Sequence, residues 1–401
     1  MAARRPTILQ IIPKLEAGGA ERAVIDMAEA VVMAGGRALV LAEPGRLTPR
    51  LEAVGGEAIA FPASSKNPLK IVSNAGAIAA LIAREGVSLV HARSRAPAWS
   101  GLLAARRAKV PFVTTYHGAY GETNAFKRAY NSVMARGDVT IANSGFTADL
   151  IAARYGLARD KIVVIHRGLD PAQFDPATVA AERVEALRRA WGVGPGQKVI
   201  LQAARLTSWK GQGVLIAAAA LLKARGLLGG AKVILAGDPQ GRDGYVAELR
   251  QHIAREGLEQ DVAIVGHVED IAAAFLAAHV TVVPSTKAEA FGRSVTEAAA
   301  MACPVIASDI GAPPETMRAA PKTPLDQATG WLVRVSDADA LAHALAAALT
   351  MSPEDRAAMG ARARAHVMAH FTKRNLQLQT LAVYDRLLCI GLAARFESAS
   401  R

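Results

Sequence analysis

The segment from Glu289 to Glu297 (EAFGRSVTE) carries the strongest chemical signal in the chain. It follows an apolar run at 280–285 and leads into an alanine-rich stretch, so the residues FGR at 291–293 are expected at a helix N-terminus. Free backbone N–H groups and the helix dipole make such a turn suitable for a diphosphate. Glu297 is then placed to accept hydrogen bonds from ribose hydroxyls, and Glu289 is placed to face a sugar.

The same segment also fits a purely structural interpretation. Ser294 and Glu297 have the spacing of a capping box, which predicts that the helix begins at Ser294 and that Glu297 closes its first turn. Two glutamates at this separation therefore do not define a site by themselves.

Two cations, Arg205 and Lys210, lie at the end of and just beyond the apolar run KVILQAAR at 198–205. A guanidinium binds phosphate oxygens as a two-pronged fork and an ammonium acts as a point charge, so the pair suits a diphosphate leaving group. An ordinary solvated loop is the competing interpretation.

Two earlier turns also carry residues suited to a ligand. Gly18 and Gly19 lie between the first predicted strand and the first predicted helix, where glycine lets a ligand approach the backbone. The GxGxxG pattern is not present, so a dinucleotide fold is not predicted, and a plain tight turn is the alternative. His117 and Gly118 end the run PFVTTYH, where a parallel sheet presents residues to a cleft, although a lone histidine is more often structural.

Two patterns that resemble sites are set aside. The run GVGPGQK at 192–198 mimics a phosphate loop but precedes its strand, which indicates a linker turn. Asp337 and Asp339 resemble a metal-binding pair, but Ser336 and Asp339 have capping-box spacing at a predicted helix start. No group of histidines and cysteines has metal-ligand spacing, so no metal site is predicted.

The elements that position these residues are short apolar runs separated by alanine-rich helical segments. Most runs are continuously apolar, which is typical of parallel strands covered on both faces. The segment at 169–197 lacks a strand signal and is the predicted linker, with a short helix around Ala180–Trp191. The predicted fold class is α/β, with two doubly wound, Rossmann-like domains facing a central cleft. The first is expected over 1–175 and the second over 176–374, with a C-terminal helix at 375–395 packing on the first.

Bulk composition fits this organisation. The chain has 401 residues, of which 51% are hydrophobic, and its two cysteines suit a reducing compartment. No signal peptide or spanning segment is evident, so a cytoplasmic location is expected. The net charge is +12, and residues 1–189 hold +9 of it, from 25 Lys and Arg against 16 Asp and Glu. This favours an anionic partner, either a phospholipid surface or a phosphorylated acceptor, since no nucleic-acid motif appears; a solvated basic surface is the alternative.

A membrane partner has one specific candidate in the sequence. Asn124–Arg136 is predicted to form a short helix with Phe126, Tyr130, Val133 and Met134 on one face and basic residues beside them. Such a helix can lie on an anionic bilayer, and a stripe facing the core is an equally good interpretation.

Together, these motifs resemble glycosyltransferase family 4, the retaining nucleotide-sugar transferases of GT-B architecture. The resemblance covers nearly the whole chain and rests on motif order and spacing: GGAER at 18–22, YHG at 116–118, Asn143-Ser144, Arg205 with Lys210-Gly211, and Glu289 with Glu297. GGAER resembles bacterial members that build lipopolysaccharide and other surface glycans. That implies a hexosyltransferase with a glycan or lipid-linked acceptor, placed in the cytoplasm or at the inner face of the membrane.

The resemblance also implies roles for matching positions. The implied catalytic group is His117, Glu289, Lys210 and Arg205. The implied donor-binding group is Gly18, Gly19, Arg205, Lys210, Gly266, His267, Val268, Glu289, Phe291, Gly292, Arg293, Ser294, Val295 and Glu297. The family uses the nucleotide-diphosphate sugar as co-substrate without a metal or other cofactor. It retains anomeric configuration by same-face attack, in which the leaving phosphate oxygen takes the acceptor's proton.

Two departures and two alternatives accompany the resemblance. The chain has HRGLD at 166–170 where the family often has Asn-Gly-Val-Asp, and GAPPE at 311–315 where it often has Gly-Gly before Pro-Glu. A nucleotide-sugar 2-epimerase shares the architecture and donor, but the Arg/Lys pair with the two glutamates favours the transferase. A non-catalytic basic membrane-surface binder is the alternative from another class.

Overall fold

The computed structural model describes residues 5–16, 18–118 and 120–400. The chain forms two compact units, the first made of Met1–Gly168 with Lys373–Arg401 and the second of Leu169–Thr372. The corresponding boundaries predicted from the sequence are 175/176 and 374/375.

The first unit is built on a parallel sheet of seven strands. They are β1 (Thr7–Lys14), β2 (Arg37–Glu43), β3 (Glu57–Ala60), β4 (Val87–Ala92), β5 (Phe112–Tyr116), β6 (Val139–Ala142) and β7 (Ile162–Val164). Their order in the sheet is β3-β2-β1-β4-β5-β6-β7. The order reverses between β1 and β4, and such a switch point opens a crevice at the carboxyl ends of the strands.

Helices cover both faces of this sheet. They are α1 (Gly19–Met33), α2 (Thr48–Ala53), α3 (Pro68–Glu85), α4 (Arg95–Ala108), α5 (Ala125–Asn131) and α6 (Gly145–Tyr155), with 3₁₀ turns at Ser132–Ala135 and Arg159–Lys161. Two apolar layers result, one on each face of the sheet. The six consecutive buried residues at the start of β1 confirm the expected pattern of a strand covered on both faces.

The second unit repeats the plan. Its strands are β8 (Val199–Ala203), β9 (Lys232–Ala236), β10 (Val262–Gly266), β11 (Val280–Val283), β12 (Val305–Ser308), β13 (Ala319–Ala320) and β14 (Gly330–Val333). All pairs are parallel, in the order β10-β9-β8-β11-β12-β14-β13. Its switch point therefore lies between β8 and β11.

The helices of the second unit begin in the predicted linker. They are α7 (Ala181–Ala190), α8 (Gln212–Ala224), α9 (Asp243–Arg255), α10 (Ile271–Ala277), α11 (Arg293–Ala300), α12 (Pro313–Thr316), α13 (Ala338–Thr350) and α14 (Pro353–His370), with 3₁₀ turns at Pro176–Thr178 and Ser208–Lys210. The helix α7 confirms the short helix expected around Ala180–Trp191.

The chain then returns to the first unit through α15 (Lys373–Leu388) and α16 (Leu392–Ala399). The single helix expected over 375–395 is wrong, because the backbone turns between these two helices at Gly391, whose φ is 69°. The Asp385 carboxylate stabilises the turn by accepting hydrogen bonds from the amides of Leu392 and Ala393. Gln377 on α15 donates to the Asp26 carbonyl of α1 at 2.7 Å.

Both predicted capping boxes are wrong. The helix α11 begins at Arg293 after Gly292, whose φ is 80°, and the Ser294 hydroxyl donates to the Ala203 carbonyl instead of capping the helix. Helix α13 is capped by Asp337, whose side chain accepts from the Ala340 amide. Ser336 lies one residue before this cap and has a φ of 58°.

The stripe proposed for Asn124–Arg136 is also divided by the fold. Phe126 on α5 is 88% exposed, whereas Val133 and Met134 in the following 3₁₀ turn are fully buried. They therefore do not form one apolar face. Within the described residues, no helix is both long and apolar enough to cross a bilayer.

Close packing of α14 on the end of α11 gives a stability prediction. A Cβ at Gly360 would lie 2.1 Å from the Ala302 carbonyl oxygen, so Gly360→Ala should force the two elements apart and destabilise the protein by about 1–3 kcal/mol. Gly244→Ala in α9 is the matched control, because a Cβ there meets nothing within 4 Å and alanine favours the helix. Urea denaturation followed by circular dichroism should show a lower midpoint for Gly360→Ala only; equal midpoints would contradict the packing argument.

Candidate functional site

A tight turn after β8 brings Lys210 against the loop that follows β11. Gly211 has a φ of 76°, and a Cβ there would lie 1.9 Å from the Pro284 carbonyl oxygen, so only glycine fits. The Thr286 amide donates to the Trp209 carbonyl at 2.8 Å and joins the same two segments. The residues that follow β8 and β11, the strands on either side of the switch point, therefore lie against each other.

The contact that results is a buried ion pair. The Lys210 Nζ lies 2.5 Å from Glu289 Oε1, and the two side chains are 15% and 10% exposed. The Ser285 hydroxyl donates to the same carboxylate oxygen at 2.6 Å. The Glu289 carboxylate offsets the cost of removing the half-buried Lys210 ammonium from water, and the pair lies at the carboxyl edge of the sheet.

Arg205 differs from Lys210 in its surroundings. Its side chain is exposed, and its only hydrogen bond among the described residues is from Nη1 to Gln240 Oε1 at 3.3 Å. No carboxylate in the described part of the chain neutralises this guanidinium. The site therefore combines one cation already paired and one whose charge is open to an incoming anion.

The turn before α11 places Phe291, Gly292 and Arg293 as the sequence predicted. The left-handed Gly292 caps the helix without a side-chain hydrogen bond, and Phe291 is buried against Phe371, with ring centroids 6.1 Å apart. Glu297 is paired with Arg293 at 2.6 Å. Glu289 and Glu297 therefore have different partners, which their spacing alone does not show.

Two residues near this turn are engaged within the protein. The Ser294 hydroxyl donates a hydrogen bond to the Ala203 carbonyl. Val295 has a buried side chain, and its amide donates to the Gly292 carbonyl. After β10, Gly266 has a φ of 73°, His267 is exposed and Val268 is half-buried. This part of the implied donor-binding group thus lies at the carboxyl end of the edge strand, two strands from β8.

In the first unit, Gly18 and Gly19 form the N-terminus of α1. Gly18 is the N-cap with a φ of 135°, and a Cβ there would lie 2.5 Å from a carboxylate oxygen of Glu21. Gly19 is the first residue of the helix. The backbone conformation at Gly18 therefore requires glycine. A plain tight turn would require it equally, so this geometry agrees with both interpretations.

His117 follows β5 at the carboxyl edge of the first sheet. Its carbonyl accepts from Asn143 Nδ2 at 3.3 Å and from Arg167 Nη2 at 3.2 Å. Its Nε2 is buried without a hydrogen-bond partner among the described residues. Burial, and to a smaller extent the charges of Arg167 and Arg93, lowers the pKa of His117 well below its ordinary value. The neutral ring can accept or donate one hydrogen bond at Nε2, depending on its tautomer.

Sequence reasoning missed two contributors to these surroundings. Arg93 directly follows β4 and is 4% exposed, and its guanidinium donates to Gln10 Oε1 at 2.7 and 3.1 Å. Arg167 is the second. Arg93 could have been identified as a site residue from the sequence, because it ends the apolar run SLVHAR at the same sheet edge as His117. Arg167 lies in the segment 166–170, where the chain departs from the family pattern. No three His, Cys, Asp or Glu side chains of the described residues come together as metal ligands.

Two doubly wound parallel sheets, with charged residues and glycine turns at the carboxyl edges, are the features of a glycosyltransferase of GT-B fold. Residues 17–173 match the family described as Glycosyltransferase Family 4, and residues 183–366 match that described as Glycosyl transferases group 1. The chain belongs to glycosyltransferase family 4.

Individual relatives agree with this assignment. The D-inositol 3-phosphate glycosyltransferase of Jonesia denitrificans is 30% identical over 316 residues, which cover 74% of this chain and 71% of the relative. The structure of a glycosyltransferase from Rickettsia africae ESF-5 is 32% identical with a TM-score of 0.86, covering 96% of this chain and 99% of that one. Anabaena Alr3699/HepE in complex with UDP and glucose is 25% identical with a TM-score of 0.78, covering 96% and 100%.

The surroundings of His117 predict how stability depends on pH. The folded state binds fewer protons than the unfolded state between the lowered pKa and the ordinary value of about 6.5, so the free energy of unfolding should fall as the pH drops through about 6.5. His117→Gln should reduce the loss of melting temperature between about pH 7 and about pH 5. His343→Gln, at an exposed position on α13, is the control. An unchanged pH dependence in His117→Gln would show that His117 is not held neutral.

Proposed function

We propose that this enzyme moves a sugar from a nucleotide-diphosphate sugar to an acceptor hydroxyl with retention of anomeric configuration. The observation that carries the proposal is the pairing of Lys210 with Glu289 beside the uncompensated Arg205, all at the carboxyl edge of one sheet. A diphosphate is the group that two such cations bind best. The Anabaena relative with UDP and glucose supports UDP-glucose as the first donor to test.

In this proposal, each group has a defined task. Arg205 and the Lys210 ammonium neutralise the diphosphate as the bond from the anomeric carbon to the phosphate oxygen breaks. The backbone amides at the start of α11 add the helix dipole, and Glu289 lies beside the transferred sugar. The acceptor oxygen forms the new bond on the same face, and its proton goes to the leaving phosphate oxygen. These cations supply the positive charge, so we expect turnover without a metal.

The distribution of charge supports an anionic acceptor. The first unit holds 27 Lys and Arg against 14 Asp and Glu, a net charge of +13, whereas the second holds 20 against 21, a net charge of −1. The excess that the sequence analysis placed in residues 1–189 therefore belongs to the first unit as a whole. The relative named for D-inositol 3-phosphate supports a phosphorylated acceptor. A glycan or lipid-linked acceptor of the cell envelope, with association to an anionic membrane, stays a prediction from the sequence.

A direct assay tests the reaction and the acceptor class. The purified chain is incubated with UDP-, GDP- or ADP-glucose and with pairs of polyols or sugars that differ only by a phosphate group. We expect nucleoside diphosphate release that requires an acceptor, a marked preference for the phosphorylated member, and a product with the donor's anomeric configuration by NMR. A chelator should leave the rate unchanged. Release of nucleotide with conversion of the donor sugar, but without an acceptor, would identify an epimerase instead.

The buried ion pair predicts the effect of removing its cation. Lys210→Ala should lower turnover by about 100-fold or more, because charge stabilisation of this kind contributes about 3 kcal/mol in the transition state. Lys287→Ala is the matched control, since Lys287 is exposed and precedes Glu289 by two residues. Circular dichroism checks that both variants fold. Turnover by folded Lys210→Ala at the wild-type rate would remove Lys210 from the diphosphate site.

Substitution of the two glutamates should change different kinetic parameters. Glu297→Gln should mainly raise the KM for the donor, because contacts to ribose are present before and during the reaction. Glu289→Gln should mainly lower kcat, because it weakens the partner of Lys210 beside the breaking bond. Steady-state kinetics at varied donor concentration separate the two. The reverse pattern, with Glu297→Gln losing turnover at saturating donor, would contradict the assignment.

A further inference from the structure

A second basic cleft lies in the second unit, at the amino-terminal edge of its sheet. The glycine-rich turn at 192–198, which the sequence analysis set aside as a linker, forms one wall as it leads into β8. The end of α7, the segment between α10 and β11, and the start of α14 form the others. The cleft encloses about 850 Å³, enough for a ligand of the size of a nucleotide or a sugar phosphate.

The lining of this cleft has an unbalanced charge. Five basic side chains line the cleft, together with one carboxylate, that of Glu185. The five are Arg188, Arg189, Lys198, His279 and Arg356. The arginine and lysine charges among them repel one another, and an anion between them relieves the repulsion.

Three of these side chains are fixed in place by backbone carbonyls. Arg188 Nη2 donates to the carbonyls of Gly194 and Gln197 at 3.0 and 2.9 Å. The Lys198 ammonium donates to the Leu349 carbonyl, and His279 Nε2 lies 3.0 Å from the Ala348 carbonyl, both at the end of α13. These carbonyls fix the three side chains in place, so the cleft is preorganised. Arg188 is also paired with Glu185, its Nε 3.9 Å from Oε1, whereas the carbonyl at Lys198 leaves the charge of that ammonium in place.

The remaining two cations are open to a ligand. Arg356 is half-buried on α14 and Arg189 is exposed on α7, and neither forms an ion pair with a carboxylate of the described residues. Burial lowers the pKa of His279, and the charges of Arg356 and Lys198 act in the same direction.

The cleft is separate from the donor site described above. Lys198 immediately precedes β8 and Arg205 follows its end, so the two mark opposite ends of one five-residue strand. A strand of that length spans about 17 Å, which is too far for one diphosphate to bridge. A ligand at Arg356 and a donor at Arg205 thus occupy different edges of the same sheet.

We propose that this cleft is a second binding site for a phosphorylated small molecule with two or more phosphate groups. Phosphate oxygens match the donors on offer, which are the two free guanidinium groups and the spare N–H groups of Lys198. Such a ligand joins α7, the turn and α14, so its binding stabilises the second unit by mass action.

Titration calorimetry and thermal shift with inorganic tripolyphosphate test the proposal. The donor site also attracts phosphates, so the titrations use Lys210→Ala as the background, which weakens that site. In this background, we expect salt-sensitive binding and a raised melting temperature. Adding Arg356→Gln should weaken the affinity by about tenfold, as should adding Arg189→Ala, because each removes one charge-assisted contact.

Arg250→Gln in the same background is the control. Arg250 is an exposed arginine on α9 of the same unit, so the variant removes one positive charge away from the cleft, and the affinity should stay unchanged. No binding to Lys210→Ala, or equal affinity with and without Arg356→Gln, would overturn the proposal. Loss of affinity in Arg250→Gln as large as in Arg356→Gln would also overturn it, because only the net charge of the unit would then matter. The comparison of Arg356→Gln with Arg250→Gln tests the cleft itself, and the activity of wild type and of Lys210→Ala tests the donor site separately.

Discussion

The ion pair between Lys210 and Glu289 depends on two places where the backbone tolerates no side chain. Gly211 lets the turn after β8 approach Pro284, and Gly311 lets another loop approach Glu289, where a Cβ would lie 2.5 Å from the Glu289 carbonyl oxygen. The Ala312 amide then donates to that same carbonyl at 3.0 Å. The Glu289 carboxylate is therefore positioned through the backbone of its own residue. Gly311 and Ala312 make these contacts within the segment 311–315, where the chain departs from the family pattern.

Periodicity and composition were sufficient for the architecture. Continuous apolar runs such as the one in β1 indicate parallel strands, and helix α7 lies where a short helix was predicted within the linker. Helix starts were less predictable. Spacing of the capping-box type occurs at both Ser294 and Ser336, yet the caps are Gly292 and Asp337. The Ser294 hydroxyl donates to the Ala203 carbonyl, and the Asp337 side chain accepts from the Ala340 amide, and neither contact is visible in the spacing.

The candidate site was also only partly predictable from the sequence. Residue types and order placed Arg205, Lys210 and Glu289 correctly at the carboxyl edge of one sheet, since strand ends are encoded locally. The pair of Arg293 and Glu297 is a local i,i+4 contact on α11. The pair of Lys210 and Glu289 joins residues 79 positions apart in the chain, which their local spacing does not indicate. For the same reason, Arg167 was not recognised beside His117, because 50 residues separate them in the chain.

The discontinuity of the first unit has a consequence for biogenesis. Residues 373–401 complete that unit, and Tyr384 on α15 is fully buried with its hydroxyl 2.7 Å from His91 Nδ1 on β4. During translation, the whole of the second unit is synthesised before α15 exists, so the second unit can finish folding while the first still lacks part of its core. Until then, β4 has a histidine without its partner and α1 an uncovered apolar face. The nascent first unit is thus the part of the chain that chaperones have most reason to bind.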